Sequence, residues 1–351
     1  MPGEDTTIST NRDASSTPTH SDEAFTASVL AIMNSPTQTT KLVCIARAAL
    51  RAFELSGMNR QIGVPGCSID VYRLVNAMLE GAKISGGERY TVSAIIAAAG
   101  CHGGIHNLTI LAQEWLFCLL WPIKKAFKNT EHDAFELIRP IFHDAEVGRR
   151  IFFRDAVAER DGHQCVMTHL WDIEYKYAPK IENPEYTCLD AARILRRSIS
   201  TLPATLDLLR HFAALPKDLV DDFSAQLDAP ENGMMLRVEL HIAYDRFWFC
   251  LLATEEINVY TIRWFSDVPT AAAGVREVRF TNHSRHGTPL PNPKFIAIHA
   301  AIAHVLHLSG AGEVIDAVID RFFENGVVPA DRVADDDDMA LRMSLLDIDT
   351  H

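Results

Sequence analysis

The sequence predicts an α+β protein: a helical N-terminal region, a central strand–strand–helix unit, a β-hairpin and C-terminal helices. Three observations carry that expectation. Apolar residues recur at helical spacing from about residue 25 to 158. The texture then shifts after Gly162 to short β-rich runs bounded by turn residues. A second pair of helical segments closes the chain, divided by Ser309-Gly310-Ala311-Gly312.

Taken in order, residues 1–24 are Ser-, Thr- and Asp-rich with almost no apolar content, which predicts a disordered tail. Residues 25–158 form the helical region, with helices expected over Thr40–Leu55, Ile69–Ala82, Arg89–Ala99, Asn107–Phe127 and Asp144–Glu159. Breaks at Gly57, Pro65-Gly66, Gly86-Gly87 and Gly103-Gly104 separate them. His163–Thr168 and Cys188–Leu195 read as short strands, and helical segments follow over 203–214 and 216–227. Asn232-Gly233 opens a strand, Met234–Val238, which leads into a two-turn helix, Leu240–Phe247. Trp248–Ala253 and Val259–Phe265 read as a hairpin about Glu255-Glu256-Ile257-Asn258, and Val278–Thr281 as a further strand. Lys294–Leu308 and Gly312–Glu324 form the last helices, and 329–351, with four consecutive aspartates at 335–338, an acidic disordered tail.

The 351 residues are 48% hydrophobic, 23% charged and carry a net charge of −13. Most of that charge lies in the tails, −4 over residues 1–24 and −5 over 331–351, so the total does not exclude a local basic surface. Seven scattered cysteines without a C-x-x-C exclude a four-cysteine zinc finger and fit a reducing compartment. The polar, acidic start lacks the order of a signal peptide, and no apolar run reaches membrane-spanning length. The expectation is an intracellular protein, with nucleus and cytoplasm both open, no membrane association and an undetermined oligomeric state.

One constellation rises above background. Arg160-Asp161-Gly162-His163-Gln164-Cys165 precedes Leu189-Asp190-Ala191-Ala192-Arg193-Ile194, then Asn232-Gly233-Met234-Met235-Leu236 and Leu240-His241-Ile242-Ala243-Tyr244-Asp245. This order and spacing resembles the HNH endonuclease family, in a variety common among fungal proteins, and the resemblance extends over roughly residues 85–325. It implies a ββα-metal (HNH) finger, a nuclease-like domain over 159–328 that includes the C-terminal helical extension, and metal-dependent hydrolysis of DNA phosphodiesters. It further implies that Asn232 and His241 are the second and third signature residues, that His241, Asp245 and Asn232 hold a divalent metal (Mg²⁺, or else Mn²⁺ or Zn²⁺), and that residue 193 is the general base.

Residue 193, however, is arginine, which remains protonated at physiological pH and accepts no proton. Losing a general base typically costs about 10²–10⁴ in rate. Arg193, Arg196 and Arg197 are instead suited to holding phosphate. Ala192 stands where many relatives have a metal ligand, and Asp190 shares its strand face. His163 and His169 are the nearest substitute bases by sequence. The expectation is therefore an HNH-type nuclease that is impaired or inactive. The alternative is a non-catalytic module on the same scaffold that binds nucleic acid or a protein partner. His299, His304 and His307 on one helix, and the aromatic run Tyr244, Phe247, Trp248, Phe249, read as core packing.

Overall fold

The computed structural model describes residues 23–57, 61–64, 67–101, 104–128, 144–177 and 184–324. They combine helices with four small sheets, the α+β class expected. The tail expected over 329–351 lies outside the described residues, as do residues 1–22. Glu23 and Ala24, assigned to the N-terminal tail, instead open α1 (Glu23–Met33). Phe25, Val29, Ile32 and Met33 give that helix one apolar face, which packs onto the core.

In α2 (Thr39–Leu55) the buried residues Leu42, Ala46, Leu50 and Phe53 fall at helical spacing. A hairpin that the sequence did not reveal follows, β1 (Gln61–Val64) with β2 (Cys67–Asp70), antiparallel with Ile62 opposite Ile69. The helix expected from Ile69 therefore starts later, as α3 (Val71–Ser85). Asp70 sets that start by accepting the Arg73 N–H at 2.8 Å, and Gly86 ends it at φ 89°. α4 (Glu88–Gly100) carries α1 and α2 against it. The segment expected as one helix over 107–127 is α5 (Ile105–Trp115), a π-helical turn (Leu116–Leu120) and α6 (Trp121–Lys128). The wider turn brings Trp115, Leu116, Leu119, Leu120 and Trp121 all inside. α7 (Asp144–Arg160) then leads into the second half.

His163–Thr168 is a turn region rather than a strand. His163 sits at φ 56° and His169 at φ 58°, left-handed conformations that a strand does not use. β3 (Trp171–Asp172) pairs in parallel with β4 (Tyr186–Thr187). β5 (Leu189–Arg193) pairs antiparallel with β6 (Gly233–Arg237), Arg193 facing Gly233 and Asp190 facing Leu236. Between them lie α8 (Pro203–Phe212), α9 (Lys217–Asp221), α10 (Phe223–Asp228) and a 3₁₀ turn, Pro230–Asn232. α11 (Val238–Asp245) follows β6 without a loop, which completes a ββα unit. β7 (Phe249–Ala253), β8 (Val259–Trp264) and β9 (Glu277–Arg279) form an antiparallel meander.

α12 (Pro293–Ser309) has Asn292 as N-cap, accepting the Lys294 N–H at 2.9 Å, proline at its first position and Gly310 beyond its end. It is apolar almost all round because it is covered on two sides, by α3 and by β7. The Lys294 ammonium also donates to the Ser85 carbonyl at the end of α3. α13 (Ala311–Glu324) packs against β2 and α6. One continuous core thus joins the N-terminal helices to the ββα unit. No single helix among the described residues is long and apolar enough to cross a membrane.

Candidate functional site

The ββα unit is held in place by a buried ion pair at the end of α7. Arg160 is 0% exposed, and its Nε and Nη2 donate to the two Asp161 carboxylate oxygens at 2.7 and 3.0 Å. The three remaining N–H groups reach the carbonyls of Pro230 and Gly233, both at 2.7 Å, and of Pro289 at 3.3 Å, and Asp161 accepts the Met235 N–H at 2.8 Å. A bidentate pair with every remaining donor used is the arrangement that offsets the cost of burying two charges. It ties α7 to the first residues of β6. Gly162 follows at φ 67°, and a Cβ there would meet the His283 ring at 3.0 Å.

Asn232 is the second staple. Its side chain accepts the Leu195 N–H at 2.9 Å and donates to the carbonyls of Leu195 and Leu227, both at 2.8 Å. It is fully buried, so it closes the long excursion between β5 and β6. The expectation that Asn232 belongs to a metal site does not match this geometry: its amide is committed to backbone. Gly233 is small because α7 crosses it, and a Cβ would lie 2.4 Å from the Phe153 ring.

At the other end of the unit, α11 presents His241 and Asp245 one turn apart. His241 Nδ1 lies 2.8 Å from Asp190 Oδ2, and His241 Nε2 lies 3.3 Å from Asp245 Oδ2. Nε2 is buried and makes no hydrogen bond. Burial works to raise the Asp190 carboxyl, but the hydrogen bond and charge of His241, with Arg196 behind, hold it below the usual carboxylate range. Asp190 is therefore an imidazole-orienting residue rather than a displaced metal ligand. Asp245 forms an ion pair with Arg196, both side chains mostly buried, and the Arg196 guanidinium lies 5.2 Å from the centre of the Phe127 ring.

Arg193 points elsewhere. Its Nη1 donates to the Leu227 carbonyl at 2.5 Å, its Nη2 lies 3.5 Å from Asp228, and its guanidinium covers the Phe153 ring at 4.1 Å. Asp228 also pairs with Arg197 at 3.1 Å. Burial, and then the positive charges of Arg196, Arg150 and Arg197, push Arg193 below its ordinary value, with Asp228 opposing them. One carboxylate thus faces a cluster of guanidinium groups. An open cavity of about 390 Å³ lies beside them, lined by Gly148, Arg149, Phe152, Arg193 and Asp228.

Residues 165–252 match the family model described as HNH endonuclease. This segment is an HNH-family domain. Comparisons with curated proteins and with solved structures gave no match. The matched residues of the HNH domain run from the turn after α7 through β7, and the N-terminal helices lie outside them.

HNH enzymes generally work with a divalent metal. The side chains of this HNH domain do not fit one. Ala192 is buried and has no ligand atom, Asn232 is spent on backbone, and Asp245 is paired with Arg196. Asp190 holds the opposite edge of the imidazole from Nε2, so it cannot share an ion with that nitrogen. Among the described residues no group of three or more His, Cys, Asp or Glu is placed to hold a metal.

Of the residues singled out in the sequence, His241, Asp245 and Arg196 come together, and Arg193 and Arg197 meet at Asp228. Neither substitute base joins them. His163 stacks on Tyr175 at 3.8 Å, and His169 lines a water-sized cavity with Asp161 and His283. Arg237 pairs outward with Glu239 at 2.7 Å. Sequence reasoning missed Asp228, Phe127 and Phe153, as well as the clamp role of Arg160-Asp161. Only the last had a signal, two adjacent opposite charges at a helix end within a recognised motif.

Proposed function

We propose that this protein uses an HNH fold to hold nucleic-acid phosphates without cutting them. The observation that carries this is Arg193. The family resemblance implies a proton acceptor at position 193, and the residue there is a permanently charged guanidinium, anchored by Leu227, Asp228 and Phe153 and facing a cavity open to solvent. Hydrolysis needs a group that takes a proton from water, whereas binding needs only fixed positive charge of matching geometry. Arg193 and Arg197, with Arg149 at the cavity, supply that charge, and the exposed Phe152 ring adds a face on which a base can stack. DNA is the partner that the family suggests.

The test combines a plasmid-nicking assay with oligonucleotide binding by fluorescence anisotropy. The native protein, Arg193→His and His241→Ala are all expected to leave plasmid intact in Mg²⁺ or Mn²⁺. The native protein is expected to bind oligonucleotide, and Arg193→Ala to bind it about tenfold more weakly, the loss of one charge-assisted phosphate contact. Native nicking that vanishes in His241→Ala would overturn the proposal and make the Asp190–His241 pair a working base. Native protein that binds no oligonucleotide would overturn the phosphate reading.

A further inference from the structure

We infer that Arg196 is the resident cation of this site, standing where HNH enzymes keep a divalent metal. The inference deepens the proposed function and rests on its reading of the fold. The usual logic of such a site is a carboxylate and an imidazole nitrogen converging on a positive charge. Here Asp245 and His241 Nε2 lie 3.3 Å apart on one helical face, and the positive charge at Asp245 is the Arg196 guanidinium.

Three features make the replacement permanent. Arg196 comes from the loop just after β5, and Asn232 fixes that loop through the N–H and carbonyl of Leu195 next to it. The guanidinium lies against the Phe127 ring and the pair is mostly buried, so it is held by packing as well as by charge. A divalent ion at Asp245 would have to displace a charged group that cannot be deprotonated. The second carboxylate gives such an ion no help, because Asp190 engages Nδ1, across the ring from Nε2. Unlike a metal, this cation is indifferent to chelators.

The test is metal binding by the full chain without nucleic acid, so it reads independently of nicking. Mn²⁺ is titrated and its free fraction followed by electron paramagnetic resonance, with melting temperature recorded alongside. The acidic carboxylates elsewhere bind Mn²⁺ weakly, so the quantity read is the portion lost in His241→Ala. The native protein is expected to show no His241-dependent site and no Mn²⁺-dependent rise in melting temperature. Arg196→Met, which keeps the apolar contact with Phe127 and removes the charge, is expected to gain one saturable site and a rise in melting temperature, both lost in Arg196→Met/His241→Ala. Arg196→Gln serves the same purpose if the Met variant does not melt cooperatively. A His241-dependent Mn²⁺ site in the native protein would overturn the inference. So would a folded Arg196→Met or Arg196→Gln variant that gains none.

Discussion

His299 makes the stability of the site helix depend on pH, and replacing it by phenylalanine tests how. The ring is wedged between Tyr244 on α11, at 3.7 Å and nearly parallel, and Phe247, at 4.7 Å. Its Nε2–H donates to the Tyr244 carbonyl at 3.1 Å. Burial, offset in part by that hydrogen bond and aided by the charge of Arg196, pushes its pKa down to about 3. Unfolded, a histidine titrates near 6.5. Between those values the unfolded chain holds a proton that the native protein refuses, so stability falls as pH falls through that window and the loss stops growing below it. The slope is about 1.4 kcal/mol per pH unit, or about 2 kcal/mol lost between pH 7 and pH 5. His299→Phe keeps the stack, removes the titration and gives up one hydrogen bond worth about 1 kcal/mol at every pH. Urea denaturation from pH 7 to pH 4.5 should therefore find the variant equal or weaker at pH 7 and gaining on the native protein as pH drops. His304 and His307, also lowered by burial, act equally in both proteins and cancel in the difference. A stability gap that stays constant from pH 7 to pH 4.5 would refute the reasoning.

Three other expectations follow from the same contacts. Asp161→Asn strands Arg160 without its counter-charge in the core and should cost about 3–5 kcal/mol, with a melting temperature at least 6 °C lower by calorimetry, taking about 2–4 °C per kcal/mol. Arg197 is 45% exposed, so Arg197→Ala should leave melting unchanged while lowering the salt slope of oligonucleotide binding by about one. Asp228 neutralises both Arg193 and Arg197, so Asp228→Asn should tighten oligonucleotide binding about three- to tenfold in anisotropy titrations, and more at low salt than at high.

The ββα unit was legible because each part carries a local signal. Asn232-Gly233 marks the turn, the apolar run after it marks β6, and His241 and Asp245 lie four apart and so share a helix face. Strand alternation also put Asp190 on the site's face, although its partner proved to be an imidazole. The β1–β2 hairpin was hidden because Pro65-Gly66 reads equally as a break between helices, and Ile69 continues the apolar period of α3 backwards. The His163–Thr168 turn looked like a strand because Cys165-Val166-Met167 is a short apolar run, and the left-handed backbone at His163 and His169 leaves no mark in it. The decisive contacts were out of reach for a different reason. Arg196 meets Asp245 across 49 residues of chain, and Arg193 meets Leu227 across 34. No periodicity encodes which arginine of three finds which carboxylate, and the two possible pairings give the site different chemistry.

That pairing explains why Arg193 and Arg196 belong together. With Arg196 on Asp245, the carboxylate that would attract a metal is already neutralised, and an imidazole at position 193 would have arginines rather than a metal near it. With Arg193 anchored on Asp228 and Phe153, the cavity side of β5 is positive whether or not a metal is present. On the proposed reading, the two arginines work in the same direction: Arg196 occupies the carboxylate that a metal would need, and Arg193 offers fixed charge where a base would stand. This is why Arg193→His alone is expected to stay silent in the nicking assay: it supplies an imidazole where the family resemblance puts the base and leaves Arg196 in place. Nicking recovered by that single change would show that the two positions act separately, and Arg196 would then be a structural ion pair of Asp245 rather than the cation of the site.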